Sequence, residues 1–336
     1  MIYSNVYSYP VLITGGSGFL GSHMVALCLE KQIDLVVIDN LSNSDLSNLQ
    51  KLESHFKVSV PFYNIDIRDK DKLSQFFKEH KLSAVMHFAG LKSVSESVAN
   101  PGLYFENNVI GSQNLIDCIK EQRIKKTIFS SSATVYGEPQ YLPIDEKHPL
   151  NPVNPYGQSK VDVEQLFLND EYFKTASVKI LRYFNPVGSY KGIISEKPNG
   201  VPNNLMPYII GVARGDYDYL NIYGNDYETI DGTGVRDYIH VMDLIYAHLS
   251  GLLDNNHGCE IFNVGCGKGY SVKQMVQTFE KVHKVKIPFK ILPRRNGDVA
   301  ICYAKTEKIK KSLNWKSIYN FDDICFDSWV KNFSKQ

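Results

Sequence analysis

The chain has 336 residues, 43% of them hydrophobic and 22% charged, with a formal net charge of +1. That length can bury a sizeable core in one or two domains, and near-neutrality excludes a global field that would draw it to nucleic acid or an anionic membrane. No apolar run approaches the roughly 20 residues of a membrane span, and Met1 to Pro10 has neither a basic residue nor the apolar core of a signal peptide.

Val11-Leu12-Ile13-Thr14 reads as a short buried strand. Gly15-Gly16-Ser17-Gly18-Phe19-Leu20-Gly21 follows at once, and Ser22 to Lys31 carries apolar residues at helical spacing. In this setting glycines let the backbone approach a pyrophosphate, and the helix N-terminus faces its charge. A second strand, Leu35 to Ile38, ends in Asp39, close to the expected spacing of about 20 residues. A carboxylate there accepts hydrogen bonds from ribose hydroxyls and repels a 2′-phosphate. Asn40 to Asn48 offers no Lys or Arg to hold one. The pattern predicts NAD rather than NADP.

The alternation continues with strands over Val58 to Ile65, Ala84 to Phe88 and Lys126 to Ser130, and with helices over Asp69 to His80 and 101–122. It implies a parallel sheet with helices on both faces and ligands at the carboxyl ends of the strands. Asp39, Asp66, Lys92 and Ser132 all fall at such ends. Asp66-Ile67 reads as an adenine contact. Lys92, in the turn Ala89 to Lys92, reads as a phosphate contact or a solvated loop lysine.

Ser130 to Gly137 places hydroxyls at the end of an apolar run, and Tyr156 and Lys160 follow on a helix expected over 155–174. Positions i and i+4 share one helix face. A free tyrosine, with a pKa of about 10, is a poor base at neutral pH; a cation held close favours the phenolate. Tyrosine, lysine and serine together can move a proton on and off a substrate hydroxyl. Of the 21 tyrosines, Tyr156 has both the lysine four positions on and the upstream serine.

Beyond this helix the alternation loosens. The reading is a strand over Val178 to Tyr183, a loop over 189–204, a helix over Leu205 to Arg214 and a glycine-broken loop over Asp231 to Arg236. An amphipathic helix over His240 to Leu253 follows, then strands over Ile261 to Val264 and Ile287 to Leu292 around a helix over Ser271 to His283, and a last helix over Asp322 to Phe333. The expected fold is a Rossmann-type doubly wound parallel sheet, an α/β domain over residues 1–185. A smaller α/β domain over 186–336 holds substrate, with some chain crossing between the two. His87, His240 and His248 read as structural. Arg236 and Arg295 sit in glycine-containing loops beside Asp237 and Asp298. They form either surface ion pairs or a bidentate clamp on a diphosphate, and a neutral chain needs local cations to hold an anion. The six cysteines show no C-x-x-C pair, which suits free thiols in a reducing cytoplasm and argues against a disulfide framework or a metal site.

Gly15-x-x-Gly18-x-x-Gly21 with Tyr156-x-x-x-Lys160 and Ser132 resembles the extended short-chain dehydrogenase/reductases. Further blocks resemble UDP-glucose (UDP-galactose) 4-epimerases: His87 to Lys92, Ser130 to Gly137, Arg182 to Gly188, Pro202 to Tyr208 and Asp231 to Val241. The resemblance runs from residue 10 to about 330. It implies a homodimer joined through the helices matching 101–122 and 155–174. It also implies that carbon 4 of a UDP-hexose is inverted through a transient 4-keto sugar, with bound NAD as catalytic cofactor. Ser132, Tyr156 and Lys160 would be catalytic. Gly15, Gly18, Phe19, Leu20, Gly21, Asp39, Asn40, Leu41, Ser42, Asn43, Ser44, Asp66, Ile67, Phe88, Ala89, Gly90, Lys92, Asn107 and Phe184 would hold NAD along with Tyr156 and Lys160. Asn185, Asn204, Leu205, Asn221, Tyr223, Arg236, Arg295, Asp298 and Cys302 would hold the UDP-sugar with Ser132.

Two departures stand out. Gln158 replaces a basic residue common in relatives, at a position expected to face away from Tyr156. Cys302 stands where some epimerases carry a bulky tyrosine beside the sugar; a small residue there goes with room for a 2-N-acetyl group. Acceptance of UDP-N-acetylhexosamines alongside UDP-glucose and UDP-galactose is therefore expected. The rivals are a nucleotide-sugar 4,6-dehydratase, which needs an acidic pair where Ala133-Thr134 stands, and a non-catalytic NAD(H) sensor, which would be free to lose Tyr156 or Lys160.

Overall fold

Val11–Thr14 (β1) is buried along its whole length, and its alternate side chains feed opposite faces of a sheet. Val11 and Ile13 join the core on one face, with Val37, Met86 and Leu244; Leu12 joins the other, with Val36, Val85 and Phe129. A strand covered on both faces must be apolar throughout, which is why these segments read as continuous apolar runs. In the computed structural model, which describes residues 7–196, 202, 204–295 and 297–329, β1 lies inside a seven-stranded parallel sheet. Leu35–Asp39 (β2), Phe62–Asn64 (β3), Ala84–His87 (β4), Lys126–Ser132 (β5), Ser177–Tyr183 (β6) and Gly258–Val264 complete it. The spatial order is Gly258–Val264, β6, β5, β4, β1, β2, β3. The order reverses between β1 and β4, and their carboxyl ends open the crevice in which such sheets bind ligands.

Several boundaries moved for identifiable reasons. The strand expected over Val58 to Ile65 shrinks to Phe62–Asn64, at the exposed sheet edge after Pro61, whose nitrogen cannot donate. The helix expected over 155–174 stops at Leu168, and Asp170 then accepts from Tyr172 N and starts a separate 3₁₀ turn. The long helix expected over 101–122 contains a π-helical turn, Phe105–Ile110. Helices Ser47–Phe56, Val94–Ala99 and Glu307–Leu313 and the strand Leu220–Tyr223 were not foreseen. Parts of the 189–204 loop and residues 330–333 of the expected last helix lie outside the described residues.

Gly258–Val264 pairs with β6, so the chain re-enters the first sheet after residue 186. The helix Val241–Leu253, which precedes that strand, also belongs to this layer: it packs on β5, β6 and the helix Phe19–Lys31. It is buried nearly all round rather than amphipathic. His240 is not in this helix but caps it, accepting from Met242 N at 3.0 Å. The helices Leu205–Arg214, Val272–His283 and Phe321–Ser328 and the strand Leu220–Tyr223 gather around a separate core of Met206, Ile209, Ile222, Met275 and Phe279, while Ile309 and Leu313 of the helix Glu307–Leu313 join the first core.

Candidate active site

Glycine sets the geometry of the first turn. Gly15 has φ +69°, and a Cβ there would lie 2.6 Å from Ala89 N in the turn after β4. A Cβ on Gly21 would lie 2.1 Å from Gly15 O, so that glycine lets the helix Phe19–Lys31 close on the turn. At Gly18 the one near atom is Gly15 O, at 3.3 Å, and no side chain caps the helix there. The first amides of the helix are thus left to a ligand. Asp39, at the end of β2, accepts from Ser17 N at 3.1 Å and Leu41 N at 2.9 Å. An ionised carboxylate has about four acceptor positions, so it retains capacity for ribose hydroxyls. Glycine cradle, open helix start and carboxylate together fit a dinucleotide without a 2′-phosphate.

Asp66 receives Asn40 Nδ2 at 2.9 Å and a fork from Arg68, whose guanidinium holds its carboxyl down near 2. Ser44 Oγ contacts Asp39 and Ser17. Ser42 N donates to Asn40, and Ile67 packs against Gly111. The turn Phe88 to Lys92 is placed by Asn108: its Oδ1 accepts from Leu91 N at 2.8 Å, and its Nδ2 donates to Leu91 O and Ser159 Oγ, each at 3.0 Å. Asn107 is buried beside it in the π-turn. Lys92 is neither free nor simply solvated. It meets Glu196 at 2.5 Å, and Glu196 also accepts from Asn204 at 2.9 Å. That carboxylate joins a residue of the expected cofactor set to one of the expected substrate set.

β5 delivers three successive serines to three destinations. Ser130 O accepts from Lys160 Nζ at 2.8 Å, and Ser130 Oγ meets His248 Nε2 at 3.0 Å. Ser131 Oγ donates inward to Glu164. Ser132 Oγ accepts from Thr134 Oγ1 at 2.9 Å and Thr134 N at 3.3 Å. With its lone pairs so engaged, the Ser132 proton is directed outward, and Ser132 hydrogen-bonds toward Tyr156. Asn154 caps the next helix by accepting from Gly157 N at 2.9 Å, and Pro155 stands at its first turn. Tyr156 and Lys160 then point into the same buried region as Ser132. Tyr183, paired with Ser132 across the sheet, and Tyr104, edge-on to Tyr156 at 6.4 Å, complete the walls. Thr134, Asn108, Tyr104 and Tyr183 are the neighbours that residue spacing did not single out.

The electrostatics correct one expectation. Burial pushes the Tyr156 phenol up, against the bond to Ser132, instead of leaving it lowered by the lysine. The Lys160 ammonium is 6.0 Å from the tyrosine ring centroid and bonds to Ser130 O. Burial also brings Lys160 down to about 8, with Glu164 acting in the opposite direction. His87 is neutral: burial and Lys160 lower it to about 3, and it sits between Thr14 Oγ1 at 2.7 Å and Ser112 Oγ at 2.8 Å.

The expected substrate residues form a second group. Arg295 lies over the Tyr223 ring at 4.5 Å and pairs with Asp298 at 3.0 Å; Arg236 approaches the same carboxylate at 3.9 Å. Asn221 donates to Tyr208 OH at 3.2 Å, on the helix that Asn204 and Leu205 begin. Asp237 is not the partner of Arg236. It is fully buried and accepts from Cys266 N, Gly267 N and Ala304 N, at 2.7, 3.0 and 3.1 Å. In that position it anchors the strand Ile301–Cys302 beside Val235–Arg236. Cys302 packs on the cluster that holds Phe184, Val135 and Tyr136. Asn185 is exposed at the start of the short strand Asn185–Val187, which pairs with Tyr238–His240.

A family model described as GDP-mannose 4,6 dehydratase matches residues 12–327. The chain is 45% identical over 324 residues to the UDP-glucose 4-epimerase of Bacillus subtilis, covering 95% of each. Among solved structures, the UDP-glucose 4-epimerase from Bifidobacterium longum in complex with NAD+ and UDP matches with a TM-score of 0.90 at 42% identity, covering 95% of this chain and 96% of that one. The UDP-Glc/GlcNAc 4-epimerase from Campylobacter jejuni matches with a TM-score of 0.81 at 35% identity, covering 96% and 98%.

Proposed function

The chain belongs to the UDP-glucose 4-epimerase family, and from that premise we propose that it is an NAD-dependent enzyme that inverts carbon 4 of UDP-hexoses. The observation that carries this reading is the convergence of Ser132, Tyr156 and Lys160, all buried, beside a glycine turn shaped for a dinucleotide. When bound, NAD supplies the hydride acceptor for carbon 4, the return of that hydride, and a positive charge.

The residues of the chain do the rest. Tyr156 takes the proton of the sugar 4-hydroxyl and later returns it. Because burial holds this phenol neutral, ionisation needs cations, and Lys160 is the one the protein provides. Ser132, fixed by Thr134, donates to the 4-oxygen. Arg236 and Arg295 clamp the diphosphate, with Asp298 holding both guanidiniums until it arrives. A gripped nucleotide with a loosely held sugar lets the 4-keto intermediate turn and take hydride on its opposite face. A 4,6-elimination would need an acid beside Ser132, where Ala133 and Thr134 stand, and Thr134 is already committed to the serine.

We also propose that the substrates include UDP-N-acetylhexosamines, because Cys302 is smaller by a whole ring than the tyrosine some epimerases carry at the matching place. The partner protein is a second copy of the chain: Val98, Leu103, Phe105 and Ile110 expose apolar surface around the π-turn. Among the described residues no helix is long and apolar enough to cross a membrane, and six free thiols suit a cytoplasmic enzyme.

Purified protein given no cofactor should interconvert UDP-galactose and UDP-glucose, and UDP-N-acetylgalactosamine and UDP-N-acetylglucosamine, as followed by NMR. Conversion of the plain sugars alone removes the N-acetyl reading. Conversion of neither, even with NAD supplied, removes the epimerase.

A further inference from the structure

One turn beyond Lys160 the same helix carries Glu164, which the proton transfer above does not use. It is fully buried, and it receives Arg182 Nε at 2.9 and 3.2 Å on its two oxygens. Arg182, on β6 next to Tyr183, is 2% exposed. Burying such a pair costs several kcal/mol per ion in desolvation, and apolar replacements of similar volume are often as stable. Stability alone is therefore a weak account of it.

Its outer contacts give a better one. Ser131 Oγ donates to Glu164. Arg182 NH1 donates to Tyr136 OH at 3.1 Å, and Tyr136 OH donates to Asn263 Oδ1 at 2.6 Å. Ser131 and Tyr136 bracket the segment that holds Ser132 and Thr134. A single ion pair, one half on the Tyr156 helix and the other on the neighbouring strand, thus holds both ends of the serine-bearing segment. We propose that Glu164 and Arg182 are positioning residues for proton transfer, keeping Ser132 in register with Tyr156 and balancing charge below Lys160. This rests on the epimerase reading above.

The second role has a definite sign. The groups around Lys160 are Tyr156 and Glu164 on its own helix, the Ser130 carbonyl on β5 and neutral His87 on β4. Glu164 is the anion among them, and Arg182 is the cation paired with it. Removing the carboxylate leaves Arg182 uncompensated, so the lysine holds its proton less well. The ammonium is the form below its pKa, so the high-pH limb of turnover moves to lower pH.

The test compares wild type, Glu164→Gln and the neutral pair Glu164→Gln/Arg182→Met, each with its NAD content measured. In Glu164→Gln, kcat for UDP-galactose should fall about 10- to 100-fold with KM and NAD content little changed. Its high-pH limb should drop by about one unit, in line with the effect of one nearby charge. The neutral pair should also turn over slowly but regain the wild-type limb, and it keeps the test open if the unpaired arginine prevents folding. Wild-type kcat in either variant, or a slow Glu164→Gln with an unmoved limb, overturns the proposal. A wild-type protein that converts nothing overturns the epimerase reading itself, an outcome read independently of the variants.

Discussion

Tyr156→Phe is expected to lower turnover of UDP-galactose by about 10³-fold, within the 10²- to 10⁴-fold range of a positioned acid–base group, while NAD remains bound. The change deletes one oxygen from a buried ring that packs on Leu91 and Tyr104, so the fold and the cofactor cradle should survive. What disappears is the atom that exchanges the proton of the 4-hydroxyl. Ser132 cannot take over, because its oxygen accepts two bonds from Thr134 and its proton is committed outward. Single-turnover kinetics on the NAD-loaded variant separate this outcome from loss of cofactor. Retention of more than a tenth of wild-type turnover would remove Tyr156 from the mechanism.

The second large effect is on substrate choice. Cys302→Tyr should abolish detectable conversion of UDP-N-acetylgalactosamine, a loss on the order of 10²-fold or more, while conversion of UDP-galactose persists. Asp237 fixes this strand by donating its N–H to Cys302 O at 3.0 Å and accepting from Ala304 N. The backbone therefore has little freedom to carry an added ring away from the sugar. Close-packed surroundings make such overfilling costly, and the acetamide is the group that must occupy the same volume. Rates for the two sugars, measured on one enzyme preparation, decide it. Equal losses on both would point to a disturbed pocket, and unchanged rates on both would place Cys302 away from the sugar.

How much of this could be read in advance depended on sequence distance. The glycine turn, Asp39, and the Tyr156–Lys160 spacing are local patterns tied to strand or helix periodicity, and the structure brings them to one crevice. Leu205–Arg214 matched because its apolar spacing ends at Gly215, which takes φ +83°. Asn108 could not be chosen over Asn107, since its role depends on Leu91 and Ser159, 17 and 51 residues away. Asp237 looked like a partner for its neighbour Arg236, but a strand sends adjacent side chains to opposite faces. The helix Val241–Leu253 looked amphipathic because the strand that extends the sheet beneath it comes later in the chain. The ionisation of Tyr156 departs from expectation for a related reason: spacing conveys that Lys160 is near, and burial, a tertiary property, outweighs it.

The central claim is that hydride leaves carbon 4 and returns to it within one protein. UDP-galactose deuterated at carbon 4 tests this most directly, with purified protein in ordinary water and the UDP-glucose product examined by NMR. The account predicts full retention of deuterium at carbon 4, with no net NADH formed. Deuterium lost to solvent, or found at carbon 6 of a 4-keto-6-deoxy sugar, would contradict it.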